Sequence, residues 1–384
     1  MKVATGSYDI NWGESSLFNN LFRGVAGKGA CVDVYCREKI PSGEGVSFHQ
    51  VTPPKIIQSS DTLTRFYFNL AFYRNARRGG FDLIHGLCFN AYPCHRLKTP
   101  YILDDIVYPT YIEFIKTEVP KLGKAAYLKT LASILPFTKT VKLECENADA
   151  IIVPNEFQKQ RIIESFTVDE DKVRIIPYGI RKPERNEAGE HEREGKLKII
   201  LFTGNDYLRK GLHYLIEAMS DVVKKHPESI LLVVGGQVEG YARSKPTIDY
   251  MTKLIKHNDL SKNIFFKGQL SFAETQKYMG LCDVFCLPTL SDSCSRAVLE
   301  AISHGKPVVT TPNSGYPEID EVGIKVPEKD SKAISDALNK LIEDDKLRNK
   351  KKQNCMKASN KYSWDKVTSK YARLYEKVLE NQPG

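Results

Sequence analysis

Two carboxylates, Asp292 and Glu300, stand out in the stretch Asp292-Ser-Cys-Ser-Arg-Ala-Val-Leu-Glu300. Glu300 lies inside an apolar run, flanked by Val298, Leu299, Ala301 and Ile302. An unpaired buried carboxylate is costly, so this acid needs a partner, either a neighbouring backbone group or a ligand. The stretch follows Asp283-Val-Phe-Cys-Leu-Pro288, which reads as a buried strand. Strand, short polar loop and acid-bearing helix together describe a ligand site at the carboxyl end of a strand.

A second motif, Phe202-Thr-Gly204-Asn-Asp-Tyr-Leu-Arg209-Lys210-Gly211, sets a glycine at a strand end and two cations at a helix entry. Helix N-termini attract anions. A guanidinium and an ammonium beside one can hold a diphosphate without a metal. Gly235 and Gly236, after a later strand, permit either close approach of a ligand or a sharp turn.

The elements that must carry these residues alternate between strand and helix. Strands are predicted near 2–6, 31–35, 45–51, 82–85, 100–103, 150–153 and 173–177, with helices near 14–26, 62–77, 110–147 and 156–165. A polar stretch, 181–195, reads as an exposed linker. A second alternation follows: strands at 198–203, 230–234, 264–267, 283–287, 307–311 and 323–326, and helices near 210–225, 247–258, 272–281, 295–304, 331–343, 346–359 and 365–380. The expectation is an α/β chain of two doubly wound, Rossmann-like domains facing each other across a cleft. The first spans 1–180 plus 365–384 and the second 196–364.

Composition fits this picture: 384 residues, 41% hydrophobic and 27% charged, with net charge +9 spread along the chain. No basic block suggests nucleic acid. A mild positive field suits a phosphate-bearing substrate or an anionic membrane surface. Nine cysteines show no zinc spacing and no paired pattern, which points to a reducing compartment and no metal site. The N-terminus lacks the apolar core of a signal peptide, and no run reaches the ~18 apolar residues of a membrane span. A cytoplasmic protein is expected, with peripheral contact to the inner membrane face left open. Segment 121–142 interleaves Lys121, Lys124, Lys129, Lys139 and Lys142 with Leu122, Leu128, Leu131 and Leu135. It reads first as a surface helix with a solvated lysine face, interrupted at Pro136. A basic amphipathic helix on a membrane is the alternative.

Taken together, these motifs resemble glycosyltransferase family 4, the retaining nucleotide-sugar transferases of GT-B fold. The acid-x7-Glu stretch running into Gly305-Lys-Pro-Val-Val309 is the most specific part. Arg209-Lys210-Gly211, Ala148-Asp-Ala-Ile-Ile-Val153, Gly315-Tyr-Pro-Glu318 and Tyr362-Ser-Trp364 also match. The resemblance implies that Glu300 binds the ribose hydroxyls and Asp292 the donor sugar. It implies that Arg209 and Lys210 bind the diphosphate, and that Ser295 and Arg296 offer backbone N–H groups. Gly268 touches the base, Gly13 lets backbone approach the leaving phosphate, Gly204 sits at the strand end, and Asp105 faces the acceptor. The final helix is expected to cross back to the first domain.

Some positions depart from the family. Asp292 stands where glutamate is usual, Cys294-Ser295 where Phe-Gly is usual, and Asn205 where arginine is common. The catalytic histidine of some members aligns with Leu87, leaving His85 as a candidate that either reaches the cleft or belongs to the core. The implied activity is transfer of a hexose from a UDP- or GDP-sugar to a glycan or lipid-linked acceptor, without metal or other cofactor. Cations and N–H donors would stabilise the leaving diphosphate. A GT-B epimerase or phosphorylase, or a catalytically inactive nucleotide-sugar-binding protein, are the competing readings.

Overall fold

The computed structural model describes residues 1–7, 17–87, 93–104, 108–181, 198–236 and 244–381. The chain forms two compact units, Met1–Pro109 with Ala132–Gly179 and Trp364–Gly384, and Thr110–Leu131 with Ile180–Ser363. Most of the expected linker lies outside the described residues.

The first unit is built on a parallel sheet of β1 (Lys2–Ser7), β2 (Cys31–Cys36), β3 (Val46–Gln50), β4 (Leu83–Leu87), β5 (Tyr101–Asp104), β6 (Ala150–Val153) and β7 (Val173–Ile175). Their order is β3-β2-β1-β4-β5-β6-β7. Strands β4, β5 and β6 are buried throughout, as near-continuous apolar runs in a parallel sheet should be. Helices α1 (Leu17–Ala26), α2 (Asp61–Arg78), α3 (Tyr108–Thr117), α4 (Lys124–Asn147) and α5 (Glu156–Ser165) follow in the chain.

The single helix expected over 110–147 is instead two. A 3-10 turn, Val119–Leu122, separates α3 from α4. Pro120 lacks the N–H that a continuing helix needs, and Gly123 takes φ 101°, a conformation that ends the turn. Conversely, α4 runs on through position 136, where an interruption was expected.

In the second unit a parallel sheet comprises β8 (Lys198–Thr203), β9 (Ser229–Val234), β10 (Ile264–Gly268), β11 (Val284–Leu287), β12 (Val308–Thr310) and β13 (Gly323–Lys325). The order β10-β9-β8-β11-β12-β13 reverses direction between β8 and β11. That junction is the topological switch point, where open α/β sheets bind ligands. Its helices are α6 (Leu212–Lys225), α7 (Ser244–His257), α8 (Phe272–Leu281), α9 (Arg296–Ser303), α10 (Ile319–Val322), α11 (Ser331–Glu343) and α12 (Asp345–Lys361). Helix α6 buries Leu212, Leu215, Ile216, Met219 and Val222, a 3.6-period stripe that seats it against the sheet.

The last helix, α13 (Trp364–Glu380), returns to the first unit and packs on α1. It buries Val367, Tyr371, Leu374, Tyr375 and Val378, and Asp365 pairs with Lys28 at 2.8 Å. Among the described residues no helix is long and apolar enough to cross a membrane.

Candidate functional site

The loops after β8 and β11 carry the candidate site of the second unit. After β8, Asp206 Oδ2 accepts from Arg209 Nε at 3.3 Å, which folds the loop back on itself. Gly211 opens α6 with φ 75°, and a Cβ there would lie 2.0 Å from the Pro288 carbonyl oxygen. Only glycine allows the two loops to approach this closely. Leu290 N–H then donates to the Arg209 carbonyl at 2.9 Å, joining the loop after β11 to the one after β8.

A row of short polar side chains holds the second loop from beneath. Thr310 Oγ1 donates to the Leu287 carbonyl at 2.6 Å, Thr311 Oγ1 to Thr289 at 2.5 Å, and Asn313 Nδ2 to Leu290 at 2.9 Å. All three side chains are buried. Each donates to a backbone carbonyl at or beyond the end of the ladder, where the Leu287 carbonyl also accepts from the Thr289 N–H at 2.9 Å. Thr310-Thr311-Pro312-Asn313 follows an apolar strand in sequence. That polar run was the available signal for a loop clamp.

The result is a compact charge cluster. Lys210 Nζ donates to Asp292 Oδ2. Arg209 Nη1 lies 3.6 Å from Asp292 Oδ1 and donates to the Ser291 carbonyl at 2.7 Å. Both Lys210 and Asp292 side chains are only 13% exposed. Burial pulls the Lys210 ammonium below the ordinary lysine value, Asp292 opposes that, and Arg209 reinforces it. Arg209 and Lys210 thus face two acids, Asp292 and Asp206, and an anion such as a diphosphate that displaced a carboxylate would find both cations already gathered at the switch point.

Glu300 lies in α9, partly exposed, and accepts from Gln276 Nε2 at 3.2 Å. Its partner comes from α8, and neither Gln276 nor Asp206 was singled out in the sequence. Gly204 follows β8 and donates its N–H to the Val234 carbonyl, while Gly268 ends β10 with φ 70° and accepts from Gly235 N–H at 2.8 Å. Arg296 is exposed at the first position of α9, where a backbone N–H has no acceptor within the helix.

Two expectations need correction. The Ser295 N–H donates to the Ser314 carbonyl at 2.8 Å, so it is engaged within the protein. His85 is fully buried in β4 of the first unit: Nδ1 is 2.5 Å from the Tyr375 hydroxyl and Nε2 is 3.3 Å from Asp104 Oδ2. Tyr178 and Tyr371 hydroxyls also donate to Asp104, at 2.9 and 2.8 Å. His85 therefore belongs to a core network that ties α13 to the sheet, rather than standing open to a ligand. Gly13 and Asp105 lie outside the described residues.

A family model described as glycosyl transferases group 1 matches residues 183–358, and one described as glycosyltransferase family 4 matches residues 15–182. An uncharacterized glycosyltransferase of Methanocaldococcus jannaschii is 26% identical over 277 residues, 69% of this chain and 66% of its own. Phosphatidyl-myo-inositol mannosyltransferase of Mycobacterium leprae is 31% identical over 209 residues, 53% of each chain. The chain thus spans about half to two thirds of the length of these relatives. Among solved structures, sucrose-phosphate synthase from Thermosynechococcus elongatus matches with TM-score 0.76 at 17% identity, covering 100% of both chains. Anabaena HepE in complex with UDP-glucose matches with TM-score 0.68 at 14% identity, covering 98% of this chain and 100% of that one. At such identities these two likenesses concern the fold alone.

Proposed function

We propose, for a chain that belongs to the GT4-type glycosyltransferases of GT-B fold, that it moves a hexose from a UDP- or GDP-sugar to a glycan or lipid-linked acceptor with retention of anomeric configuration. The observation that carries this reading is the cluster of Arg209, Lys210 and Asp292 at the switch point between β8 and β11.

The chemistry follows from where charge develops. Breaking the bond between sugar and nucleoside diphosphate builds positive charge on the sugar ring and negative charge on the leaving phosphate. Arg209 and Lys210 meet that negative charge, and Lys210 exchanges Asp292 for a phosphate oxygen when donor binds. Asp292, released from the ammonium, hydrogen-bonds donor-sugar hydroxyls. Glu300 accepts from the ribose hydroxyls, and the Arg296 N–H adds a donor at the start of α9. The two cations supply the positive charge that a divalent ion supplies in metal-dependent transferases, so turnover should not require a metal. The leaving phosphate accepts the acceptor's proton on the face from which it departs, which gives retention.

A lipid-linked acceptor suits a protein that rests on an anionic membrane. Leu128 and Leu135 of α4 are 51% and 59% exposed, and Lys129, Lys139 and Lys142 are exposed on the same helix. Apolar side chains between lysines fit the boundary of an anionic bilayer. Co-sedimentation with vesicles should rise with anionic lipid and fall in Leu135→Glu. Insensitivity to lipid charge would remove the membrane part of the reading.

The overall reading is tested by incubating the protein with a panel of UDP- and GDP-sugars and candidate acceptors. The expected result is release of one nucleoside diphosphate and a glycoside of retained configuration by NMR. Turnover without an acceptor, or release of sugar phosphate, would instead indicate an epimerase or a phosphorylase. Donor binding with no product across the panel would indicate an inactive binding protein.

A further inference from the structure

Glu300 accepts a hydrogen bond from an amide, and that amide is itself held. Gln276, in α8, is 1% exposed. Its Nε2 donates to Glu300 Oε2 at 3.2 Å, and its Oε1 lies 2.9 Å from His304 Nε2. His304 follows Glu300 by one helical turn, in the segment that caps α9. The chain of contacts therefore leaves α9 at Glu300, crosses to α8 and returns one turn later.

The polarity of this chain is fixed by chemistry. An ionised carboxylate only accepts hydrogen bonds, so the NH2 side of Gln276 must face Glu300. That turns its carbonyl oxygen to His304, whose Nε2 must then carry a proton. Neutral His304 with the proton on Nε2 and protonated His304 both satisfy the contact. The orientation of the amide is set by these two contacts, and Gln276 holds the rotamer of Glu300 through a side chain that itself carries no charge. A lysine or arginine at position 276 would hold Glu300 too, but would neutralise it and compete for the oxygens a ligand needs. A glutamine constrains one oxygen and leaves the charge intact.

We propose that Gln276 is a positioning residue that fixes Glu300 for the nucleotide ribose, with His304 fixing the amide. This rests on the reading of Glu300 as the ribose ligand. Gln276 touches no substrate. It lowers the rotamer freedom that Glu300 would otherwise lose on binding, so its effect should appear only for ligands that carry ribose hydroxyls.

Calorimetry with the full-length protein tests this, using the nucleoside diphosphate that the wild type binds and its 2′,3′-dideoxy counterpart. Gln276→Met keeps the volume and removes the amide. It should weaken the ribonucleotide about ten-fold, as loss of a hydrogen bond to a charged group does, and leave the dideoxynucleotide unchanged. In a Glu300→Ala background the same substitution should have no further effect. Gln276→Glu places a second carboxylate against Glu300, and its ribonucleotide affinity should recover as pH is lowered and the two acids share a proton. Equal weakening of both nucleotides by Gln276→Met, or an additive loss in the double variant, would show a general structural effect and overturn the proposal. Ribose selectivity that survives in Gln276→Met would overturn it while leaving the role of Glu300 standing. Equal affinity of the wild type for both nucleotides would remove that role, and the proposal with it.

Discussion

Lys210 and Asp292, 82 positions apart in the chain, meet as an ion pair at the junction between β8 and β11. Among the charges that act on Lys210, Asp292 is the foremost. On the proposed function, binding of a diphosphate is an exchange, in which a phosphate oxygen replaces the carboxylate on Lys210. Lys210→Ala should lower transfer about 100-fold or more, as removing a donor to a developing oxyanion does. Asp292→Asn should bind nucleoside diphosphate at least as tightly as wild type while losing turnover. Steady-state kinetics alongside calorimetry separates the two outcomes.

The lowered affinity of Lys210 for its proton gives a pH signature. The group is held below the ordinary lysine value by burial, and on the proposed function the ammonium is the form that meets phosphate. Diphosphate affinity should therefore fall as pH rises through a midpoint lower than that of a free lysine. Lys210→Arg keeps its charge over the same range and should flatten the profile. Titrations across neutral to alkaline pH check both.

Gly211→Ala should be strongly destabilising, by about 3 kcal/mol, because φ is positive and the new Cβ would meet a backbone oxygen that cannot move aside. Thermal unfolding of the second unit should report it. A melting temperature within a degree of wild type would contradict the geometry.

In the first unit, Asp104→Ala should cost about 3 kcal/mol or more, since it strips the acceptor from the hydroxyls of Tyr178 and Tyr371. His85→Phe should also lower stability, yet leave nucleotide affinity within about two-fold of wild type. A large loss of affinity in His85→Phe would restore His85 as a candidate ligand.

His213 of α6 is buried and bonds Glu118 at 2.9 Å, while Lys121 lies 2.8 Å from the same acid. Burial alone would raise the Glu118 pKa, but hydrogen bonds from His213 and Lys121 outweigh it and bring it to about 2. Burial lowers the His213 pKa, against the pull of Glu118. A histidine lowered on folding stabilises fully above its unfolded value, near 6.5, and that contribution is lost as pH falls below it. Melting temperature should therefore drop on going from pH 7 to pH 5 more in wild type than in His213→Gln. Identical profiles would show that His213 does not titrate on unfolding.

The alternation of strands and helices was legible because parallel strands read as apolar runs and their covering helices as 3.6-period stripes. Helices 156–165, 272–281 and 331–343 were found where periodicity set them. The break between α3 and α4 was not, because lysines and leucines continue the helical pattern across Gly123. The ion pair of Lys210 with Asp292 could be approached only through the resemblance, since strand order, not sequence distance, brings them together. Gln276 carried no signal: a single glutamine in an amphipathic helix reads as surface, and only tertiary packing aims it at Glu300. His85 shows the converse, a histidine that reads as chemistry at the end of an expected strand but sits in the middle of β4, held in the core by a tyrosine nearly 300 residues away.

The most direct measurement is nucleoside diphosphate release from the preferred UDP- or GDP-sugar and acceptor by wild type, Lys210→Ala and Glu300→Ala, each shown to be folded by its melting curve. The account predicts turnover in wild type and a loss of about 100-fold or more in both variants. Turnover at the wild-type rate in both would contradict it.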